Sequence, residues 1–332
     1  MRKRYIITGF VVLAGIVWMM RRISVDESLQ HFQSPSFWKT VAGANHFYLL
    51  LSALFISITY VLRAYRWQIM LRPTRETNFT HVLTGTLIGF ALVAVIGRPA
   101  EFVRPYLIAR KESMPVTSQL GAWTLERILD SIAIVALLGA SLWLWPPAIA
   151  TGATASHLLE NFRKAGVVLL LFTVVLAIVL TVLHHWPGMA RGVINLMLRP
   201  FPQRFQKPLH STFDHFVSAL AVIGDLPGLL RALVSTAIVW LCVLGSYWAA
   251  AQSLGEPVSA INAGGLTLVM LSSGLGSVAH LPGVGGGIQI ATILSLTHLF
   301  SIPLPIATSM ALFIWVITYL LVLLPGLPLA AR

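Results

Sequence analysis

Gly97-Arg98-Pro99-Ala100-Glu101-Phe102-Val103-Arg104 interrupts an apolar run that extends from Leu83 to Ile96. A glycine, a proline and three ionisable side chains stand where a hydrophobic helix would otherwise continue. Pro105-Tyr106-Leu107-Ile108 follow, and then the basic pair Arg110-Lys111. Each unpaired backbone amide costs several kcal/mol in hydrocarbon, so broken backbone at membrane depth has to face protein or water. The stretch therefore reads as one half of a polar site. In helical geometry the three-and-three spacing of Arg98, Glu101 and Arg104 puts all of them on one face, where the carboxylate neutralises one guanidinium.

Composition sets the class. Of 332 residues, 57% are hydrophobic and only 10% charged, with a mean hydropathy of +0.81. A soluble domain carries about a quarter charged residues, so a globular enzyme is excluded and an all-α polytopic membrane protein is expected. The net charge of +12 then belongs to basic cytoplasmic loops facing anionic lipid, not to a nucleic-acid partner. Cys242 is the single cysteine, which excludes an internal disulfide and argues against a thiolate metal site; no metal or cofactor is expected.

In chain order, Arg2-Lys3-Arg4 precede an apolar segment, Tyr5 to Met20, closed by Arg21-Arg22. No small-residue cleavage site follows, so this is a retained anchor. A second span is expected from about His46 to Val61. It stops at Leu62-Arg63-Ala64-Tyr65-Arg66-Trp67, where guanidinium in water and rings at headgroup level suit an interface. The broken element follows, from His81 to Arg110, with Gly85 and Gly89 forming a small-residue face. A long segment, Gln119 to Trp145, holds Glu126, Arg127 and Asp130. The two carboxylates share a face and Arg127 reaches Asp130. Further spans are expected over Gly166–Leu183, Leu233–Ala251 and Pro303–Leu324. Between the last two lies a second broken element, in which His280-Leu281-Pro282-Gly283-Val284-Gly285-Gly286-Gly287 separates two limbs too short to span.

Placing the basic loops in the cytoplasm makes residues 63–75 and 98–111 lie on one side, so the first broken element enters and leaves without crossing. By the same count the second dips in from the opposite face. The expectation is a single membrane domain of about six spans plus two re-entrant helical hairpins, arranged as an inverted repeat. The halves are residues 1–160 and 165–332, with a cytoplasmic linker over 184–225 and both termini cytoplasmic.

The residues Arg98 to Arg104, then Glu126-Arg127 with Asp130, then Leu281-Pro282-Gly283 through Gly287 resemble, in order and spacing, the integral-membrane domain of lysylphosphatidylglycerol synthases. That domain also occurs alone in flippase-like proteins. The resemblance covers residues 5–325. Ala100 stands where the family pattern has a glycine, and Gln289 is the nearest polar residue where the glycine-rich hairpin normally continues into a glutamate. The chain ends at Arg332, so it is expected to lack the synthase domain that transfers an aminoacyl group. What the resemblance implies is movement of a polar lipid between leaflets of a bacterial inner membrane, without chemical catalysis. The partners it implies are a phospholipid, an aminoacyl-lipid or a polyprenyl-phosphate lipid, with a homodimer as the assembly.

Arginine offers a fork of donors matched to phosphate. Arg98, Arg104 and Arg127 are therefore assigned to the headgroup. Glu101, Glu126 and Asp130 orient those arginines and bind any amine. Pro282, Gly283, Gly285, Gly286, Gly287 and Gln289 form a gate or approach the headgroup through backbone amides. Arg63, Arg66 and His280 are secondary candidates. Each has a plainer alternative: a structural ion network for Glu126, Arg127 and Asp130, an interfacial cap for Arg98, Glu101 and Arg104, stop-transfer residues for Arg63 and Arg66, and a surface loop for the glycines. An enzyme modifying a lipid headgroup or polyprenyl phosphate is the alternative function. Ser272-Ser273-Gly274 near His280 lacks the Gly-x-Ser-Gly pattern of an intramembrane serine protease.

Overall fold

The computed structural model describes residues 35–148, 153–186, 220–277 and 286–331, with isolated positions between 188 and 217. Among the described residues the chain is helical, with no strand. The expected anchor over residues 5–20 and most of the 184–225 linker lie outside them; within the linker Arg191 and Asp214 form an exposed ion pair at 2.9 Å.

Helix α1 spans Pro35–Ala42, α2 His46–Leu71, α3 Phe79–Ile96, α4 Val103–Lys111, α5 Val116–Trp143 and α6 Ala153–His185. In the second half α7 spans Leu226–Leu254, α8 Ala263–Gly276, α9 Gly287–Phe300, α10 Leu304–Trp315 and α11 Leu321–Ala330. Asparagines start three of them. Asn45, Asn78 and Asn262 accept from the amides of Phe47, Thr80 and Gly265 at 3.0, 2.8 and 2.9 Å, each satisfying a donor that the first helical turn leaves unpaired.

Among the described residues, five helices are long and apolar enough to cross a membrane: His46–Leu71, Phe79–Ile96, Thr154–His185, Leu226–Leu254 and Leu304–Ala330. The second of the expected spans does not stop at Val61. Helix α2 runs on to Leu71, so the arginine–aromatic stretch is helix and not interface loop. The reason is packing: Ala64, Arg66, Trp67, Met70 and Leu71 are all buried, and the helix pairs their amides within the segment. The last span contains a π-turn, Val316–Leu320, between α10 and α11. The Thr318 carbonyl there accepts the Tyr60 hydroxyl at 2.6 Å, which ties the C-terminal span to α2.

Helices α2 and α7 form the central pair and run antiparallel. The Ser52 hydroxyl donates to the Ser246 carbonyl at 2.9 Å and meets the Ser246 hydroxyl at 2.8 Å, while the Phe55 ring lies over Gly245. Small residues and interhelical hydroxyl bonds hold helices together where lipid removes the hydrophobic driving force.

Each broken element is a helical hairpin. In the first, Gly97 takes a φ of 94°, ends α3, and a 3-10 turn over Arg98–Phe102 turns the chain back into α4. Gly89 faces Arg104 and Gly85 faces Ile108, so α3 and α4 lie antiparallel. A Cβ at Gly89 would come within 2.7 Å of Arg104 Cβ and 3.2 Å of its Cα. The base is clasped by His81 Nδ1 and Glu112 Oε1 at 2.6 Å. In the second hairpin, Gly276 of α8 packs on the Gly287 carbonyl, Ser273 and Thr292 share a hydroxyl bond at 2.5 Å, and Gly265 meets the Phe300 ring. The limbs α8 and α9, at 14 residues each, are about 21 Å long, shorter than a hydrocarbon core of about 30 Å.

Candidate functional site

Arg66 points from α2 toward α5, and its guanidinium has no exposed surface. Its Nη2 lies 2.5 Å from Glu126 Oε1, and its Nη1 lies 2.7 Å from Asp130 Oδ1 and 2.9 Å from Thr236 Oγ1 of α7. Glu126 and Asp130 are one turn apart on α5, which is why a single planar guanidinium reaches both.

Arg104 enters from the first hairpin. Its Nη1 donates to both Glu126 oxygens, at 3.3 and 3.2 Å, and its Nη2 donates to the Arg63 carbonyl at 3.2 Å. The guanidinium stacks on the Trp67 ring, 3.9 Å from its centroid. Trp67 is itself fixed by donation from Nε1 to Gln119 Oε1 at 2.9 Å. Arg127 lies at the edge, 38% exposed, with its Nη2 3.5 Å from Glu126 and 3.2 Å from Asp130. Trp240 of α7 donates to Asp130 Oδ1 at 3.2 Å. Arg63 is half-buried above the Phe90 ring, 5.4 Å from its centroid.

Four helices thus converge on two carboxylates, each contributing through a local property of its sequence. The small face of α3 lets α4 approach closely enough to deliver Arg104. The unbroken α2 delivers Arg66 and Trp67 one after the other, and α7 supplies Thr236 and Trp240 four residues apart on one face.

Measured against the expected site, Arg104, Glu126, Arg127 and Asp130 are brought together, and Arg127 reaches Asp130 as the spacing predicts. Glu101 is half-buried and acts electrostatically on Arg127. The Arg98 side chain lies outside the described residues, as do His280, Pro282, Gly283 and Gly285. Gly286 caps α9 and Gly287 begins it. Gln289 is buried, and its amide nitrogen has no hydrogen-bond partner among the described residues.

Two expectations need correction. Arg66 is not a stop-transfer residue with its guanidinium in water: it is the buried centre of the cluster. Trp67 is not an interfacial ring but a fully buried platform for Arg104. Nothing in the sequence singles out Thr236, Trp240 or Gln119. Their spacing in sequence is that of ordinary helix packing, and nothing local marks their partners.

A broken hairpin, long apolar spans and a buried ionised cluster define a polytopic helical membrane protein with its charges gathered at one place. The model for the lysylphosphatidylglycerol synthase TM region matches residues 6–326, and the chain belongs to that family. A search of curated proteins found no match.

Proposed function

We propose that this protein moves a polar lipid, anionic or aminoacylated, between the leaflets of a bacterial inner membrane, without making or breaking covalent bonds. The observation that carries the reading is the buried cluster of Arg66, Arg104, Glu126 and Asp130, built on a broken helical hairpin with Arg127 at its edge. Ionised side chains at bilayer depth cost on the order of 2.5–3.5 kcal/mol each on insertion scales, and they mark pathways for polar cargo. Arginine forks suit a lipid phosphate, and acyl chains remain in the bilayer beside the cluster.

The topology in this proposal is an inverted repeat of span, span, re-entrant hairpin and span. Three relationships support it. The central pair α2 and α7 is antiparallel and occupies the same place in each half. Helix α11 of the second half packs on α3 of the first hairpin, where Gly326 meets Leu87 and Ala91. Reciprocally, α5 of the first half and the turn after it pack on α8 of the second hairpin, where the Ser141 and Trp145 carbonyls meet Gly264. Paired interrupted segments in opposed halves are the architecture of a transporter with a site near the midplane.

The test is leaflet movement of a fluorescent lipid in proteoliposomes. Arg127→Gln is expected to abolish it while the protein still folds, because Arg127 is far more exposed than Arg66 or Arg104. Movement at the parent rate would overturn the assignment.

A further inference from the structure

The donors and acceptors of the cluster do not balance. Each carboxylate oxygen has roughly two acceptor sites. Glu126 Oε1 faces Arg66 and Arg104, Glu126 Oε2 faces Arg104 and Arg127, and Asp130 Oδ1 faces Arg66 and Trp240. Asp130 Oδ2 is approached by Arg127. Glu101, the remaining carboxylate nearby, already has a partner. The acceptors of the cluster are therefore close to saturated.

The donors are not. The Nε atoms of Arg66, Arg104 and Arg127 are buried without a hydrogen-bond partner among the described residues. No carboxylate among the described residues lies within ion-pair distance of Arg63, although that guanidinium sits in the electrostatic field of Asp130, Arg66, Glu126 and Arg127. Among the described side chains, Arg63, Arg66, Arg104 and Arg127 together face Glu101, Glu126 and Asp130, which leaves one positive charge in excess.

We infer that the site selects lipids whose headgroup is purely anionic, a phosphate carrying no amine, and disfavours aminoacylated, cationic headgroups. The inference rests on the lipid-transport reading and narrows its substrate. A phosphate supplies acceptor oxygens for Arg63 and for the partly exposed Arg127 guanidinium, and it neutralises the excess charge. An ammonium needs acceptors that the arginines already occupy, and it meets the excess positive charge. Arg63 is the discriminating residue: it is the one guanidinium of the cluster with no carboxylate of its own among the described residues.

The test uses the full chain in detergent, titrated with phosphatidylglycerol or with lysylphosphatidylglycerol of the same acyl composition, and native mass spectrometry to count bound lipid. Phosphatidylglycerol is expected to bind about tenfold more tightly, the worth of one charge-assisted contact. Arg63→Gln is expected to erase the preference and Arg63→Lys to retain part of it. Equal or tighter binding of the lysyl ester to the unaltered chain overturns the inference, as does an unchanged preference in R63Q. If R63Q does not fold, the unaltered chain still decides. Leaflet movement of the two lipids in phosphatidylcholine vesicles separates the two readings. A binding preference without movement defeats transport and leaves the headgroup assignment standing. Movement at equal rates defeats the headgroup assignment and leaves transport standing.

Discussion

Arg66 Nη2 lies 2.5 Å from Glu126 Oε1, and neither side chain has any exposed surface. The two residues are 60 positions apart in the chain, on α2 and α5. Dehydrated charges of this kind are tolerated when every one is matched, and Glu126 is matched by three arginines.

Glu126→Gln should therefore be the most damaging single change in the cluster. It removes the only carboxylate among the described residues that Arg104 contacts, and half of the compensation of Arg66. Breaking a buried pair costs about 3–5 kcal/mol. Asp130→Asn should cost less, because Arg66 and Arg127 both keep Glu126. Thermal unfolding in detergent ranks the two, and the reverse order would contradict Glu126 as the hub.

Glycine contacts within the second hairpin can be separated by size. A Cβ at Gly276 would run into the Gly287 carbonyl, which is backbone and has nowhere to move, whereas one at Gly274 meets nothing within 4 Å. Gly276→Ala should prise the second hairpin apart and cost more than the ~1–3 kcal/mol of ordinary overpacking. Gly274→Ala should be neutral, or stabilising by up to about 1 kcal/mol through helix propensity. Unfolding midpoints of the two variants check this, and similar midpoints would refute the close packing of α8 on α9.

Arg104→Lys keeps the charge and loses the geometry. An ammonium cannot lie flat on Trp67 while also donating to Glu126 and to the Arg63 carbonyl. A stability loss of about 1–2 kcal/mol is expected from the stack and one charged hydrogen bond, together with a marked fall in lipid movement. Wild-type movement in the lysine variant would show that charge alone suffices at this position.

Gln289 sits buried at the start of α9 with its amide nitrogen unpartnered among the described residues. Replacing it with leucine removes that unmet donor and should raise stability by about 1–3 kcal/mol. If the second hairpin approaches the headgroup, the same change lowers lipid movement. Unaltered movement in the more stable Gln289→Leu variant would remove Gln289 from the path.

Much of this arrangement was legible in advance. Low charge content and apolar runs of helical length leave only a helical bundle in the bilayer, because backbone amides must be paired within each segment. Gly97 and Pro99 betrayed the first break. The i,i+3 and i,i+4 spacing of Glu126, Arg127 and Asp130 anticipated their shared face, a purely local property. Arg66 was misjudged because an arginine near the end of an apolar run has the same local appearance whether it meets water or a carboxylate on another helix.

The sequence alone determined the class of protein, its two interrupted hairpins and the carboxylate pair of α5, all consequences of hydrophobic length and helical period within single segments. Only the tertiary structure decided that α2 continues to Leu71, that Arg66 and not Arg127 is the buried centre, and that Arg104 rests on Trp67. Those are contacts between residues far apart in the chain. They follow from which small residues let helices approach and from the requirement that each dehydrated charge find its opposite, and neither condition is expressed in any one stretch of sequence.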